Sequence, residues 1–361
     1  MNGKKKTALI LSGIGWSDTI QRHHMVAKEL LAKGYQVDFV ESIPSSRFTF
    51  GKLWNKWAKR SKGKSVNVAY DSGLAVHKFP ILPGGYRLLD ILNRLLFKFY
   101  IRKRIGKKYN LIVTYLPVPV CLLFIDNLEH DLLVYDCVRN FDGWGGYPKS
   151  VNSIEKSFLK EGDYILCDSF YLRDKIEQAG RKDVFQVLPS LNTGSPVRLA
   201  AKSIGRIKKL VYFGTLSAHV DTDLLKILHS DGYEVHFWGK IEGAYTEDEL
   251  SFIISHGYIR DIEILLAEIH ALGDAVIIPY KGNMDGVIPA KLLQALSLNI
   301  PVFTSSFYDT ERLSDLLYVY KNPAELLSLL GTFREAQFEE RREKIREFVE
   351  RNENGVFFPF L

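Results

Sequence analysis

The stretch YKGNMDGVIPAKLLQALSLNIPVF, Tyr280–Phe303, runs from a glycine-containing loop through a helical pattern into a short apolar run typical of a strand. With the preceding AVIIP it forms one strand, helix, strand unit. The N-terminus of a helix carries partial positive charge, and natural sequences commonly place Asp or Glu there. Here the first turns contain Pro289 and Lys291 instead. This pattern indicates that the negative charge comes from a ligand, and phosphate is the usual candidate.

Outward from this stretch, strand and helix patterns alternate through nearly the whole chain. Helices are predicted over Thr19–Lys33, Asp221–His229 and Asp261–His270, and the runs between them are apolar on both faces. Such strands form a parallel sheet that is covered by helices on both sides. The alternation pauses at Ser190–Lys209, which has Gly, Ser, Pro and scattered cations but no apolar period. The sequence therefore predicts an α/β protein with two consecutive doubly wound, Rossmann-like domains.

We expect four segments along the 361 residues. The first domain covers 1–190, a linker covers 191–207, and the second domain covers 208–334. The charged helical pattern and the apolar end of 335–361 predict a tail that packs back onto the body of the protein.

The composition, 46% hydrophobic and 25% charged, is that of an ordinary globular protein. The N-terminus lacks a secretory cleavage pattern, and the longest uncharged run, Leu111–Ile125, contains two prolines and is shorter than a membrane span of roughly 18 to 20 residues. We interpret that run as a strand, a turn and a buried helix. The cysteines Cys121, Cys137 and Cys167 are interpreted as reduced core thiols. These features favour a cytoplasmic protein.

The net charge of +6 is concentrated in the region from Lys52 to Lys108. The segment 52–64, KLWNKWAKRSKGK, has six cations and no acid, interleaved with Trp54 and Trp57. A basic amphipathic helix is predicted next, with cations on one side and apolar residues opposite. The cations are Arg87, Arg94, Lys98 and Arg102, and the apolar residues are Leu88, Leu92, Leu95, Leu96 and Phe99.

Two interpretations of this basic region compete. In one, a solvated basic face lies over an apolar stripe that faces the core. In the other, the surface rests on anionic lipid headgroups. Specific nucleic-acid binding is disfavoured, because no recognition-helix, zinc-finger or RNP-like pattern accompanies the cations.

In parallel sheets, ligands bind at the carboxyl ends of the strands. In the first domain the loop there is SGIGWSDTIQRHH, where Gly13 and Gly15 allow close approach of the backbone. In the second domain it is FGTLSAHVD, with Asp221 as a predicted N-cap. Neither GxxxxGK[ST] nor GxGxxG is present, which disfavours ATP hydrolysis and nicotinamide-dependent dehydrogenation.

An ordered set of blocks resembles GT-B glycosyltransferases of bacterial exopolysaccharide and teichuronic acid biosynthesis. In the first domain the blocks are WSDTIQRHHMVAKELLAKGYQVDFVES, VYDCVRNFDGW and EGDYILCDSFYLRDKI; in the second they are YFGTLSAHVDTDLL, SHGYIRDIEILLAEIHALGDAVIIPY and IPAKLLQALSLNIPVF. The resemblance implies a GT-B fold, in which two Rossmann-like domains face each other across a cleft. The first domain would bind the acceptor and the second the nucleotide-sugar donor.

The resemblance also implies site residues. Lys291 would face the donor diphosphate, Asp285, Gly286 and Ile288 would line the sugar, and Tyr258 and Ile259 would lie beside the base. The implied donor-binding set is Gly214, Thr215, His219, Trp238, Lys240, Tyr258, Ile259, Tyr280, Asp285, Gly286, Ile288, Lys291 and Gln294. The implied acceptor-side loop contains Gly13, Gly15, Trp16 and Arg22. No cofactor and no metal is implied, since a cation and preorganised N–H groups can stabilise the leaving diphosphate.

The chain departs from the pattern of these enzymes at several positions. Gln294 replaces a Glu that accepts the ribose hydroxyls, and Arg139 and Asn140 replace a pair of Asp residues. Ser217, Ala218 and His219 stand where Arg and Lys are common. These changes motivate an alternative, in which the protein binds a nucleotide sugar or a partner enzyme without catalysis.

An inverting transferase needs a base near the attacking hydroxyl, and Asp142, Asp18 and His23 are the candidates. A retaining enzyme needs no such base, and the sequence leaves both mechanisms open. We expect a cytoplasmic transferase, peripherally associated with the inner face of the membrane through the Lys52 to Lys108 region. It would move a sugar from a UDP-sugar to a lipid-linked saccharide. A soluble or nucleic-acid acceptor is the alternative among enzymes.

Overall fold

The computed structural model describes residues 5–18, 20–45, 68–70, 73–143, 146–189, 199–242, 245, 248–352 and 355–361. The basic segment 52–64, with its two tryptophans, lies outside the described residues, as does much of the predicted linker. The chain forms two compact units. Unit 1 comprises Met1–Asp168, Leu172–Val187 and Val356–Leu361, and unit 2 comprises Ser169–Tyr171 and Leu188–Gly355.

Unit 1 is built on an eight-stranded sheet. Its elements are β1 (Thr7–Leu11), α1 (Arg22–Ala32), β2 (Gln36–Val40), β3 (Val68–Tyr70), β4 (Leu74–His77), α2 (Arg87–Phe99), β5 (Lys108–Thr114), α3 (Pro119–Asn127), β6 (Glu129–Cys137), α4 (Val151–Glu161), β7 (Tyr164–Cys167), α5 (Phe170–Gln178, whose first two residues belong to unit 2) and β8 (Val184–Gln186). The strand order is β3-β4-β2-β1-β5-β6-β7-β8. All neighbouring strands are parallel except β3, which is antiparallel to β4.

Unit 2 is built on a six-stranded parallel sheet. Its elements are β9 (Lys209–Phe213), α6 (Thr222–Ser230), β10 (Glu234–Trp238), β11 (Ile253–Ser255), α7 (Ile262–Leu272), β12 (Ala275–Ile278), α8 (Ala290–Ser297), β13 (Val302–Ser305), α9 (Tyr308–Glu311), β14 (Tyr318–Tyr320), α10 (Pro323–Gly331) and α11 (Glu335–Asn352). The strand order is β11-β10-β9-β12-β13-β14. The predicted class, α/β with two parallel-sheet domains, is confirmed.

The central strands form because their side chains are apolar on both faces. In β1, Leu9 pairs with Asp38 of β2 on one side and with Ile112 of β5 on the other, and Ala8 to Leu11 are fully buried. In β12 every residue is fully buried. Within each sheet the carboxyl ends of the parallel strands, and the loops that follow them, lie at the same edge of that sheet.

Local signals located the start of one helix correctly and placed the start of another too early. The carboxylate of Asp221 accepts a hydrogen bond from the N–H of Leu224 at 3.1 Å, so the predicted N-cap of α6 is confirmed. Helix α1, predicted from Thr19, begins only at Arg22. The residues before it form a turn instead, in which the Asp18 carboxylate accepts from the N–H of Gly15 at 2.7 Å.

The run Leu111–Ile125 is a strand, a turn and a buried helix, as predicted: β5 ends at Thr114 and α3 begins at Pro119. All three cysteines are buried, and none of them forms a disulfide. Among the described residues, no helix combines the length and apolar character needed to cross a membrane.

Helix α2 is present where it was predicted, and of the two interpretations of the basic region the structure contradicts the one in which the apolar stripe faces the core. The buried residues of α2 are Asn93 and Phe97. The Asn93 amide donates to the carbonyl of Leu82 and accepts from its N–H, and Phe97 packs edge-on against Phe124 at 5.1 Å. These contacts hold the opposite side of the helix against unit 1, so the leucine-rich side faces outward.

The last six residues belong to unit 1. The N–H groups of Phe357 and Phe358 donate to the carboxylate of Glu29 at 2.7 and 3.1 Å, and Phe360 stacks on Tyr164 with 3.6 Å between ring centroids. Helix α11, which precedes them, belongs to unit 2.

Candidate functional site

In unit 2 the side chain of Lys291 is surrounded by aromatic residues. Its ammonium donates to the hydroxyl oxygen of Tyr212 at 2.8 Å and lies 4.0 Å from the centroid of that ring. The ring of Tyr280 is 5.4 Å away. The Tyr212 hydroxyl donates in turn to the carbonyl of Thr215 at 2.8 Å. The ends of β9 and β12 and the first turn of α8 thus meet around one cation.

This cation has no negative partner among the residues that the structure describes. Desolvation by the surrounding side chains lowers the pKa of Lys291 to about 7. Burial raises the pKa of Tyr280 to about 12 and raises that of Tyr212 further, so both hydroxyls are neutral near pH 7. Within the part of the chain that the structure describes, no carboxylate forms an ion pair with Lys291. Its position therefore favours an anion brought by a ligand.

Two glycines make room for this arrangement. Gly214 has φ +110°, and a Cβ there would lie 2.6 Å from the Lys291 ammonium nitrogen. Gly239 has φ +158°, and a Cβ there would lie 1.7 Å from the carbonyl oxygen of Gly214. The loop after β9 and the loop after β10 therefore approach each other so closely at Gly214 and Gly239 that neither position has room for a side chain.

Beyond these glycines, two of the predicted residues come together at the surface. The Lys240 ammonium lies 4.4 Å from the ring centroid of Tyr258, which is exposed. Trp238 instead points inward: it is buried, stacks on His256 at 4.0 Å, and donates to the Glu268 carboxylate at 3.1 Å. Lys240 and Tyr258 are therefore accessible at the surface, whereas the Trp238 ring serves packing.

The loop before α8 is held by carboxylates. Asp285 accepts from the N–H of Tyr308 at 3.1 Å, and the N–H of Gly286 donates to Asp309 at 3.2 Å. Burial raises the pKa of Asp309, although hydrogen bonds from the backbone N–H groups of Tyr171, Phe170 and Gly286 oppose that shift. Asp309 was missed by the sequence analysis, because its partners are distant in sequence and no motif surrounds it.

The remaining residues predicted to bind the donor lie in different parts of unit 2, some in its core and some in loops or on α8. His219 accepts from the N–H of Lys281 through its carbonyl at 2.8 Å. Ile288 is buried in the core of unit 2, and Ile259 packs against that core. Gln294 follows Lys291 by three residues in α8, so both occupy the same side of the helix.

In unit 1, Arg22 at the start of α1 forms a two-pronged ion pair with Asp136 of β6, with distances of 2.8 and 2.9 Å. Burial disfavours the charged guanidinium, but the adjacent Asp136 raises its pKa. Arg22 also donates to the carbonyl of Val187, and Phe357 packs against its guanidinium at 4.7 Å. These contacts join three segments of unit 1. Asp136 was not among the predicted site residues.

His23 is buried, stacks on Tyr115 at 3.5 Å and pairs with the hydroxyl of Ser12 at 2.9 Å. Burial, and then the charges of neighbouring groups, lower its pKa to about 3. The imidazole is therefore neutral at physiological pH.

The acceptor-side loop is internally bonded. Asp18 is exposed, but its carboxylate binds the N–H of Gly15, as described above. The N–H of Trp16 donates to Glu41 at 2.7 Å, and the Trp16 ring contacts His24 and Phe39 at 5.1 Å each. At Gly13 a Cβ would lie 2.9 Å from a methyl group of Leu116. At Gly15 a Cβ would lie 3.1 Å from a carboxylate oxygen of Asp18, so local packing explains both glycines.

Asp142 belongs to a cluster of charges. Lys175 donates to Asp142 at 2.7 Å and to the Asn140 amide oxygen at 3.1 Å, and its ammonium lies 3.6 Å from Glu155. Glu155 is buried and accepts from the Tyr135 hydroxyl at 2.9 Å. Burial raises the pKa of Glu155, and the charge of Lys175 opposes that rise. The block VYDCVRNFDGW thus supplies a carboxylate, Asp142, that a lysine orients.

Among the described residues, no three His, Cys, Asp or Glu side chains are grouped so that they could hold a metal ion.

Comparison with known proteins identifies the fold. No protein-family model matches the chain. No curated protein matches it by sequence. Solved structures do match it along nearly its full length. The chain has the GT-B fold.

Three of these structures show the likeness. The sucrose-phosphate synthase of Thermosynechococcus elongatus is 12% identical, with a TM-score of 0.62 over 95% of this chain and 94% of the other. Anabaena HepE, solved in complex with UDP, is 12% identical, with a TM-score of 0.60 over 97% and 95%. WaaG, a glycosyltransferase involved in lipopolysaccharide biosynthesis, is 11% identical, with a TM-score of 0.61 over 95% of both chains. At these identities the likeness concerns the fold.

Proposed function

We propose that the protein is a glycosyltransferase that moves a sugar from a nucleotide-sugar donor to a saccharide acceptor. The observation that carries this proposal is the position of Lys291, a cation among aromatic rings in the first turn of α8. A nucleoside diphosphate supplies the negative charge that this position lacks.

In the proposed reaction the nucleoside diphosphate is the leaving group. The bond between the anomeric carbon of the sugar and the diphosphate oxygen breaks, and its electron pair leaves with the diphosphate. The anomeric carbon bonds to an acceptor hydroxyl oxygen, and the hydroxyl proton passes to a base or to solvent. Charge thus grows on the diphosphate, where Lys291 and the N–H groups of the first turn of α8 stabilise it in the transition state.

The donor is a UDP-sugar in this proposal. HepE, which shares the fold, was solved with UDP. In this proposal Lys240 and Tyr258 contact the base, which the closeness of the Lys240 ammonium to the exposed Tyr258 ring supports. Gln294 would accept a ribose hydroxyl through its amide oxygen. Asp285, Gly286 and Ile288 remain the proposed sugar-side residues. No cofactor or metal takes part.

The acceptor is a lipid-linked saccharide of cell-surface polysaccharide biosynthesis. WaaG, with the same fold, is a lipopolysaccharide enzyme, and the basic region from Lys52 to Lys108 suits an acceptor at an anionic membrane. The protein would then be cytoplasmic and peripherally associated with the inner face. The fold of the sucrose-phosphate synthase, whose named product is a small sugar phosphate, supports a soluble acceptor as the alternative.

On the acceptor side, Asp142 is the proposed base if the reaction inverts the anomeric configuration. Lys175 orients it at 2.7 Å, whereas Asp18 is engaged in a turn and His23 is buried and bonded to Ser12. The same ion pair supports the noncatalytic alternative, because Lys175 already occupies the Asp142 carboxylate.

Nucleotide release from a panel of sugar donors, measured with and without a membrane extract, tests the function. Release of UDP from one donor only when the extract is present supports transfer to a lipid-linked acceptor. UDP binding without release from any donor supports the noncatalytic alternative. If neither UDP nor any other nucleotide binds, the proposal fails. Asp142→Asn then tests the base: an inverting enzyme should lose about 10²- to 10⁴-fold in kcat.

A further inference from the structure

Helix α2 presents an apolar stripe to solvent. Its members, spaced three or four residues apart so that they share one side of the helix, are Leu88, Ile91, Leu92, Leu95 and Phe99. Each is between 46% and 76% exposed. The opposite side, through Asn93 and Phe97, already anchors the helix to unit 1. Within the described part of unit 1, the fold therefore does not use the stripe.

Cations follow one flank of this stripe. Arg94 and Lys98 are one helical turn apart in α2, and Arg102 lies in the short 3₁₀ turn Ile101–Lys103 that follows the helix. All three line a groove between α2 and α3 of about 600 Å³, whose other wall includes Leu122 and Leu123. Among the residues that the structure describes, none of the three forms an ion pair.

Two carboxylates also line the α2–α3 groove. Asp90 accepts a hydrogen bond from the N–H of Gly85 at 3.0 Å, so part of its charge is already balanced. Burial, and then the charge of Glu161, raise the pKa of Asp126. The groove is lined by three cations, Arg94, Lys98 and Arg102, and by these two carboxylates, so its net charge is positive.

We propose that this side of unit 1 is a docking surface for an anionic bilayer. The apolar stripe of α2 enters the boundary between headgroups and acyl chains, and the α2–α3 groove holds the phosphate of an anionic phospholipid. This inference deepens the proposed function, since it rests on a lipid-linked acceptor for its purpose, but its physical basis is independent of transfer.

Charge and shape favour a bilayer over other occupants of this surface. A stripe of half-exposed leucines beside unpaired cations is complementary to a layer that is apolar inside and anionic outside. The basic segment 52–64 of the same chain has the same sign of charge, which disfavours its covering the groove. A second copy would likewise bring cations against cations if the two α2 stripes met.

The first test places a reporter on the stripe. Because all three native cysteines are buried, Leu92→Cys can be labelled selectively with an environment-sensitive fluorophore, and Ile264→Cys on the exposed side of α7 is the matched control. Vesicles of phosphatidylcholine with phosphatidylglycerol in equal parts should shift the emission at position 92 to shorter wavelength. Vesicles of phosphatidylcholine alone should not, and the control should not respond to either.

The second test separates the stripe from the cations by vesicle cosedimentation. Leu92→Gln with Leu95→Gln should weaken binding at least about tenfold, because about half of each leucine leaves an apolar environment. Arg94→Gln with Lys98→Gln should weaken it about 30-fold, at roughly 1 kcal/mol for each cation. Matched exposed pairs in unit 2, Ile227→Gln with Ile264→Gln and Lys208→Gln with Lys226→Gln, should bind as the wild type does.

Two further measurements test whether the bound phosphate belongs to a lipid headgroup or to a soluble molecule. Vesicles in which oleate replaces phosphatidylglycerol at equal surface charge should bind more weakly. Glycerol phosphate should compete only at concentrations far above those of the vesicle lipid. Equal binding to oleate vesicles would overturn the phosphate site, and tight binding of free glycerol phosphate would make a soluble ligand the occupant.

Other results would overturn the docking surface itself. If the wild type binds anionic vesicles but the emission at position 92 is unchanged, another part of the basic region makes the contact. If the wild type forms dimers that the Leu92 and Leu95 changes dissociate, a second copy covers the stripe. Calorimetry of UDP binding to every variant distinguishes a failure of the docking surface from a failure of the proposed glycosyltransferase function. Unchanged UDP affinity with lost vesicle binding is a result about the surface, whereas absent UDP binding in the wild type is a failure of the proposed function.

Discussion

The ammonium of Lys291 lies 2.8 Å from the hydroxyl oxygen of Tyr212, although the two residues are 79 positions apart in the chain. This contact brings the first turn of α8 to the carboxyl end of β9. It places a desolvated cation where backbone loops approach most closely, and it explains why an anionic ligand, rather than a side chain, would complete the site.

Replacing Lys291 with alanine should weaken UDP binding by about 1.5 to 3 kcal/mol, because a charge-assisted hydrogen bond to the diphosphate is lost. Isothermal calorimetry measures the change directly. Lys226→Ala, on an exposed side of α6 in the same unit, is the control and should bind UDP as the wild type does. Unchanged affinity in Lys291→Ala would return this lysine to a packing role.

UDP binding should be coupled to proton uptake. Because desolvation lowers the pKa of Lys291 to about 7, the free site is largely neutral at about pH 8, and a bound diphosphate raises that pKa again. The affinity should therefore fall as the pH rises above about 7, by up to about tenfold per pH unit.

Calorimetry at about pH 8 in two buffers of different ionisation enthalpy would count the protons. We expect the uptake of close to one proton for the wild type and of none for Lys291→Ala. An uptake of zero in the wild type would show that the lysine is already charged before the nucleotide binds.

Gly214→Ala should displace the Lys291 ammonium, since the new methyl group would lie 2.6 Å from it. The flexible end of a lysine can move, so the folding cost should be only the strain of a positive φ, about 1–2 kcal/mol. Gly232→Ala shares the positive φ, at +91°, but its methyl group meets open space, so it is the matched control.

Both variants should lose similar stability in urea, while only Gly214→Ala loses UDP affinity. Gly239→Ala should be far more destabilising than either, because its methyl group would meet the rigid carbonyl of Gly214 at 1.7 Å. Equal UDP affinity in Gly214→Ala and Gly232→Ala would contradict the close packing of Lys291 at this loop.

Lys175→Met should destabilise the protein by about 1–3 kcal/mol at neutral pH, because it leaves the buried Glu155 without its cation. The folded-state pKa of Glu155 is raised, so its contribution to stability is greatest at low pH and is lost as the pH rises through that pKa. Without Lys175 this pKa rises further. The destabilisation should therefore be larger at about pH 8 than at about pH 5 in urea titrations.

Adding Glu155→Gln to Lys175→Met is the control for this prediction. The double variant should show a smaller difference between the two pH values, because the buried carboxyl no longer ionises. A pH dependence that persists in the double variant would assign the effect to Asp142, the other carboxylate bonded to Lys175.

The position of the candidate donor site was predictable, whereas its contacts were not. The glycine loop before α8 and the lone Lys291 signalled an anion from local sequence. Nothing local indicated that Tyr212 would hold the lysine, or that Asp309 would bind the N–H of Gly286, since these partners come from other strands and helices. Similarly, Arg22 was predicted as part of a loop, but its partner Asp136 lies 114 residues away.

By itself the sequence determined the order of strands and helices, the parallel sheets and helix caps such as Asp221, because these depend on apolar periodicity and on hydrogen bonds between residues close in the chain. The tertiary structure alone decided the orientation of α2. An amphipathic pattern specifies that a helix has an apolar side, but not what that side faces. Asn93, bonded to Leu82, and Phe97, packed on Phe124, hold the other side of α2 against unit 1 and leave the leucines in solvent.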